Sequence, residues 1–305
     1  MCSFFSIAGA SSLKKFGIGV VTDFVPVILE FSQSNGGQGE ADRLVATDQI
    51  TAAGLTKMAY SKTPANCRMY NKPIMNLTDD GVMEDMSAGV NTTQYTPTDR
   101  TFGAEISLCP LLKQHTANKV YYVKAMRGGT ALYSGPSNWS AYNSDNLLDM
   151  FLKTYATPAI NDIIAENPGK EIRAVLLRHQ GESDNTDLKR NAYYANTVAQ
   201  MDYIRAFQIN GIKYFETAPF LDTYLYYRPE EQQEVDMNIV KETFANDIAN
   251  SYMIDIRIQP RKMDLTTAQK GGFKPTMSDN EHGSYLAMLQ KGESAYDLLR
   301  SINWI

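Results

Sequence analysis

Between residues 25 and 299, short apolar runs ending in polar turns alternate with longer stretches of helical periodicity. This alternation limits the available folds more than any other feature of the chain. Residues 25–31 (VPVILEF) stop at Ser32-Gln-Ser-Asn-Gly-Gly37, residues 119–124 (KVYYVK) stop at Arg127-Gly-Gly-Thr130, and residues 172–177 (IRAVLL) stop at His179-Gln-Gly-Glu-Ser-Asp184. Short apolar runs closed by turns read as buried strands of a parallel sheet. Residues 212–218, ended by Pro219, and residues 252–258 read as two more strands.

Between these runs, residues 102–112 suit a helix perturbed by Pro110, and residues 147–166 form an amphipathic helix. Residues 193–209 form a helix stopped at Asn210-Gly211, and residues 239–251 and 283–299 two more. Strand-helix alternation of this kind predicts an α/β fold with helices on both faces of a mostly parallel sheet. Residues 38–100, rich in Thr, Asn, Asp and Met, read as a long surface insert. Residues 1–23 read as an N-terminal arm or docking extension, and residues 24–305 as one domain.

Three cysteines (Cys2, Cys67 and Cys109), without a CxxC pair, argue against a disulfide framework and a cysteine-based zinc site. The only histidines are His115, His179 and His282, and no two are at metal-ligand spacing. Neither a P-loop nor a GxGxxG occurs. The formal net charge of -5 is wrong for a nucleic-acid coat, and no apolar run is long enough to span a membrane. Lys14 and Lys15 follow the apolar N-terminal stretch instead of preceding it, which is unlike a secretory signal and leaves a virion-associated or a cytoplasmic location.

Ligands of such a sheet bind at the carboxyl ends of its strands, where the turns around Ser34, Gly128 and Gln180 should meet a later stretch around Asp279 and His282. Nucleophilic ester cleavage needs a hydroxyl, a histidine base, a carboxylate to orient it and N–H donors for the oxyanion. Ser34 lies in the first turn, and Asp279 is three residues from His282. Gly128 or Gly129 offers an unhindered amide, and Gln180 a side-chain NH₂. Each element alone is common in structural turns; the weight lies in their consistent order after successive strands.

These residues resemble SGNH-type esterases, specifically the sialate O-acetylesterase and acetylxylan esterase-like branch of carbohydrate esterases. Residues 31–39 (FSQSNGGQG) resemble its first block, Phe102-Gly-Ala-Glu-Ile-Ser107 its "fGPEl" segment, and Gly128-Gly129-Thr130 with Trp139 its "GGT…W" block. Gln180-Gly-Glu-Ser-Asp184 is similar to "QGESD", and Asp279-Asn-Glu-His282 to the terminal "DxxH". The resemblance implies a flavodoxin-like three-layer α/β/α sandwich, the SGNH hydrolase fold. It implies Ser34 as nucleophile, His282 as general base and Asp279 as its orienter. The oxyanion hole would comprise the Ser34 amide, an amide of the Gly128-Gly129 pair and the Gln180 side chain.

Glu182 is expected to hold its turn, and His179 either to touch substrate or to support the site through hydrogen bonds. Ser32 and Gly36 stand where the family has glycine and methionine, and Arg178-His179 where it often has an aromatic pair. These departures change the pocket wall and leave the triad. The implied activity is removal of O-acetyl groups from carbohydrate (sialic acid, xylan or a surface polysaccharide) with neither metal nor cofactor. The alternative is a non-catalytic SGNH-like module of a larger assembly such as a phage virion or cell-surface complex. The arm is the expected contact for a homo-oligomer or a virion assembly.

Overall fold

The computed structural model describes residues 23–33, 37, 39–40, 58–71, 81–92, 101–135, 138–142, 146–184, 186–225, 232–254 and 285–305. Residues 1–22 of the expected arm, and Ser34, Asp279 and His282, lie outside the described residues.

The main sheet has the strand order β4-β3-β6-β1-β7-β8-β9. These strands are β1 (Phe24–Ser32), β3 (Cys67–Asn71), β4 (Met83–Asp85), β6 (Val120–Met126), β7 (Glu171–Arg178), β8 (Phe220–Thr223) and β9 (Ser251–Ile254). All neighbours are parallel except β3 and β4. Taken in chain order, β6-β1-β7-β8-β9 reads 2-1-3-4-5, the flavodoxin-like doubly wound order, so β1 is central and its carboxyl end marks the topological switch point. A separate antiparallel pair joins β2 (Gly39–Glu40) to β5 (Thr101–Phe102).

β1 (FVPVILEFS) is buried along its whole length, which explains its nearly continuous apolar sequence. Its odd residues Val25, Val27, Leu29 and Phe31 pack with Phe151, Tyr155, Ile160, Met201, Ile204 and Phe244 in one core. Those partners come from the helical run 147–166 and from helices α4 (Asp187–Ala206) and α5 (Gln232–Asp247). On the other face, Ile28 packs with Leu108, Leu112, Met288, Leu289 and Leu299 of helices α1 (Glu105–Lys113) and α6 (Tyr285–Ser301). Helices therefore cover both faces, giving the expected three layers.

The expected helix over 147–166 is interrupted. It consists of α2 (Leu147–Met150), a π-helical segment (Phe151–Ala156) and α3 (Thr157–Glu166). Pro158 lacks an N–H and crowds the carbonyl four residues back, so the chain widens its turn ahead of it; Thr157 Oγ1 donates to Leu152 O at 2.8 Å.

Two expectations need correction. The 38–100 stretch is not all surface insert: β3 lies in the main sheet, with Cys67 to Asn71 paired in parallel with Val120 to Lys124. Residues 212–218 are not a strand but a series of turns, entered through an Ile209–Ile212 bridge around Asn210 (φ 53°) and Gly211 (φ 79°). The strand begins beyond Pro219, whose lone acceptor takes the Leu176 N–H at 2.9 Å while Phe220 N donates to Asn250 O at 2.8 Å. Proline is tolerated at the entrance to a strand because no ladder donor is required there.

Candidate functional site

The carboxyl ends of β6, β1 and β7 are adjacent, and the turns that follow them meet. Gln33, just beyond β1, donates its N–H to His179 O at 3.0 Å, and Arg127 N donates to Ser32 O at 3.0 Å. Gln180 closes the three-way junction. Its Nε2 donates to Thr130 O at 2.5 Å and to Gln33 Oε1 at 3.3 Å. Its own carbonyl accepts from Tyr193 Oη at 3.1 Å and from Lys241 Nζ at 2.8 Å. Both amide hydrogens of Gln180 thus hold turn to turn. Donation to an oxyanion would take the hydrogen now given to Gln33.

Gly128 and Gly129 form the turn after β6. Gly129 is exposed with φ +69°, a left-handed conformation that L side chains rarely adopt, and a Cβ added there would meet nothing within 4 Å. Thr130 pins the turn by donating to Arg127 O at 2.7 Å, while accepting from Trp139 Nε1 at 3.1 Å. This bond ties the "GGT" and Trp139 parts of the motif together.

His179 is fully buried and engaged at both ring nitrogens: Nδ1 stands 2.5 Å from Thr223 Oγ1 and Nε2 2.7 Å from Glu182 Oε1. Both ring nitrogens are thus taken up by partners on β8 and on the turn after β7. Burial holds its pKa below the ordinary value against the raising effect of Glu182, and Lys291 and Lys241 add to the lowering. Glu182 opens the 3₁₀ turn Glu182–Asp184 and takes the Gln33 side-chain amide on Oε2, so one carboxylate couples His179 to the residue before Ser34.

Several participants escaped the sequence reading. Asp184, the last residue of the QGESD block, accepts the Leu132 N–H at 2.9 Å and the Tyr133 N–H at 3.1 Å, capping the chain beyond Thr130. Burial pushes its pKa up to about 6 against those bonds. Lys124 on β6 is buried against Glu105 at 3.0 Å and donates to Thr92 O at 2.9 Å. A Cβ on Gly37 would stand 2.6 Å from Lys124 Nζ and 2.9 Å from Met126 Sδ, so a larger residue there would displace the ends of both side chains and disturb this ion pair. Glu105 belongs to the Phe102–Ser107 segment, so the pair ties that segment to β6, the strand that leads into the glycine turn. Farther along the sheet edge, Asp222 joins Arg178 (2.6 Å) and Lys241 (3.2 Å) in a buried triad behind His179. Periodicity offers no signal for such partners, because each lies far away in sequence.

Among the described residues no group of three His, Cys, Asp or Glu side chains could hold a metal ion, and no helix is long and apolar enough to cross a membrane.

No protein-family model and no curated protein matches the sequence. The fold, by contrast, has clear counterparts among solved structures. NanS superposes with a TM-score of 0.57 at 13% identity over 93% of this chain and 99% of its own. XAC1771, a carbohydrate acetylesterase from Xanthomonas citri, superposes with a TM-score of 0.52 at 16% identity over 91% of this chain. This chain spans 56% of the length of XAC1771. The architecture is thus a doubly wound α/β sandwich in which the turns after β6, β1 and β7 are joined at the carboxyl ends of those strands. It is the SGNH hydrolase fold, as the motif resemblance implied.

Proposed function

We propose that this chain is a serine esterase that removes O-acetyl groups from carbohydrate through an acetyl-enzyme intermediate. The observation that carries the reading is the Gln180 junction. By bonding to Thr130 O and Gln33 Oε1 it holds the glycine turn beside the residue preceding Ser34, where a reacting carbonyl needs nucleophile and N–H donors together. The carbohydrate acetylesterase named among the structural counterparts supports the substrate class.

In this reading Ser34 Oγ attacks the acetyl carbonyl while His282, oriented by Asp279, takes the hydroxyl proton. The tetrahedral oxyanion is held by the Ser34 amide, an amide of the Gly128-Gly129 pair and the Gln180 side chain. The ester C–O bond breaks, and His282 returns the proton to the departing sugar oxygen. A water then repeats the sequence on the acetyl-enzyme, and acetate leaves. No metal or cofactor takes part in these steps.

The test is hydrolysis of p-nitrophenyl acetate by wild type and Ser34→Ala. A loss of at least about 10³-fold in kcat is expected for a nucleophile, and equal rates would refute the assignment. Acetate release from a panel of O-acetylated glycans then identifies the sugar. A preference for eight-carbon over two-carbon acyl p-nitrophenyl esters would overturn the acetyl class.

A further inference from the structure

The central strand β1 carries one acid among its apolar residues. Glu30 is fully buried, four residues ahead of Ser34. Its carboxylate takes Lys291 Nζ on Oε1 and Tyr122 Oη, at 2.5 Å, on Oε2. Lys291 is also fully buried and lies on α6, the helix that begins three residues after His282. Ser32 Oγ donates to Glu30 Oε1 at 3.4 Å and accepts the His179 N–H at 2.9 Å. From His179 the chain of contacts runs through Glu182 to the Gln33 side chain. A continuous polar path, buried except at the half-buried Glu182, therefore connects α6 to the residue before Ser34.

Stability does not account for an ion pair at this place. Two charges withdrawn from water recover little net energy, and apolar residues of similar volume usually serve a core as well or better. The rest of the β1–α6 contact is of that apolar kind. Phe24, at the amino end of β1, meets Trp304, beyond the end of α6, edge to face at a centroid distance of 5.4 Å. Among the described residues the charged pair Glu30–Lys291 stands toward the opposite end of this antiparallel contact, where β1 leads to Ser34 and the start of α6 follows His282. Apolar packing leaves a helix some freedom to slide, whereas a charge-assisted hydrogen bond fixes both distance and direction.

We propose that Glu30 and Lys291 are positioning residues: their buried pair fixes α6, the helix that follows His282 in sequence, against the carboxyl end of β1, the strand that leads to Ser34. This rests on the esterase reading above.

The test uses the full chain and p-nitrophenyl acetate. Glu30→Gln/Lys291→Met removes both charges together and leaves neither buried alone; the glutamine amide keeps an acceptor and a donor for Tyr122 and Ser32. The expected result, with native circular dichroism, is a 10- to 100-fold fall in kcat with KM changed less than about twofold, as for a misplaced catalytic pair. The control is Tyr60→Phe/Glu293→Gln, which removes another buried bond of α6, Tyr60 Oη to Glu293 Oε1 at 2.9 Å, outside the polar path. It should lower Tm and leave kcat unchanged. An equal fall in kcat in the control would show general loosening of α6 and overturn the proposal.

Tyr122→Phe is the milder probe should the double variant fail to fold. It deletes one hydroxyl from the Glu30 carboxylate, keeps both charges and should lower kcat about threefold. Wild-type kcat in whichever of these variants folds would overturn the link. Ser34→Ala separates the two levels: if it is inactive while Glu30→Gln/Lys291→Met turns over normally, only the positioning role fails. If Ser34→Ala is fully active, the esterase reading fails first.

Discussion

Thr223 and His179 determine each other's protons. Their Oγ1 and Nδ1 atoms are 2.5 Å apart, while Thr223 Oγ1 is 3.3 Å from the other acceptor available to it, Arg178 O. With the imidazole neutral, the arrangement that satisfies every partner has the threonine hydroxyl donating to Nδ1. The single ring proton then sits on Nε2, facing Glu182. The far side of the sheet, β8, thereby sets how Glu182 is held and, through it, Gln33.

Thr223→Val keeps the shape and deletes the donor. Leaving the buried Nδ1 unpaired should cost about 1–3 kcal/mol, read as a lower urea midpoint at unchanged m-value. Because burial lowers the folded pKa of His179, the unfolded chain binds this proton first as the pH falls below the ordinary histidine value. The His179 contribution is therefore present near neutral pH and is lost on acidification through the folded pKa. His179→Asn should weaken that acid-side loss; an unaltered pH–stability curve would contradict it.

Asp184 works in the opposite direction. Its folded pKa is raised from 3.8 to about 6 by burial, so the native state binds this proton more tightly than the unfolded chain. Its contribution is fully present below the unfolded value and is lost as pH rises through about 6, a swing of roughly 3 kcal/mol at 1.36 kcal/mol per pKa unit. Asp184→Asn should flatten this part of the curve. It should also loosen the 130–133 segment, since an amide accepts the Leu132 and Tyr133 N–H groups less strongly than a carboxylate does. Urea unfolding at several pH values between 4 and 7 checks both signs.

Gln180→Ala removes the bond across the three turns and the side-chain donor proposed for the oxyanion. Loss of one such donor typically lowers kcat by about 10²–10³-fold. The same fall is expected here on p-nitrophenyl acetate with little change in KM; a change confined to KM would reassign Gln180 to substrate binding.

How far these relationships can be read from sequence depends on the kind of residue involved. β1, β6 and β7 are legible because a strand buried on both faces is a continuous apolar run, and their turns are legible because glycine and polar residues close them. β3 (CRMYN) is not. Arg68 and Asn71 make it look like loop, and its arginine reaches Asp85 and Glu166, which the chain supplies from two other elements. Residues 212–218 mislead in the other direction, since Ile212, Tyr214 and Phe215 imitate a strand that only begins at Phe220. The same asymmetry holds at the site. The glycine turn and Gln180 announce themselves by motif, whereas Glu30–Lys291, Lys124–Glu105 and Asp222–Lys241 are charges in apolar contexts whose partners are fixed only by folding.

Gly292 illustrates a packing constraint of this hidden type. It lies on α6 one residue after Lys291, where a glycine would normally cost helix stability. A Cβ there would stand 2.1 Å from Ser107 Oγ and 2.5 Å from Ala104 O, and two of the three nearest atoms, Ala104 O and Leu108 N, are backbone that cannot swing aside. The close approach also lets Ser107 Oγ donate to Leu289 O at 2.8 Å, joining α1 to α6. Gly292→Ala should therefore reverse the usual benefit of alanine in a helix. Overpacking of this sort costs about 1–3 kcal/mol or more, visible as a Tm several degrees lower. Ser107→Ala added to Gly292→Ala should recover only a small part of the loss, because the backbone clash with Ala104 remains. Full recovery would mean that the Ser107 side chain alone sets the distance between the two helices.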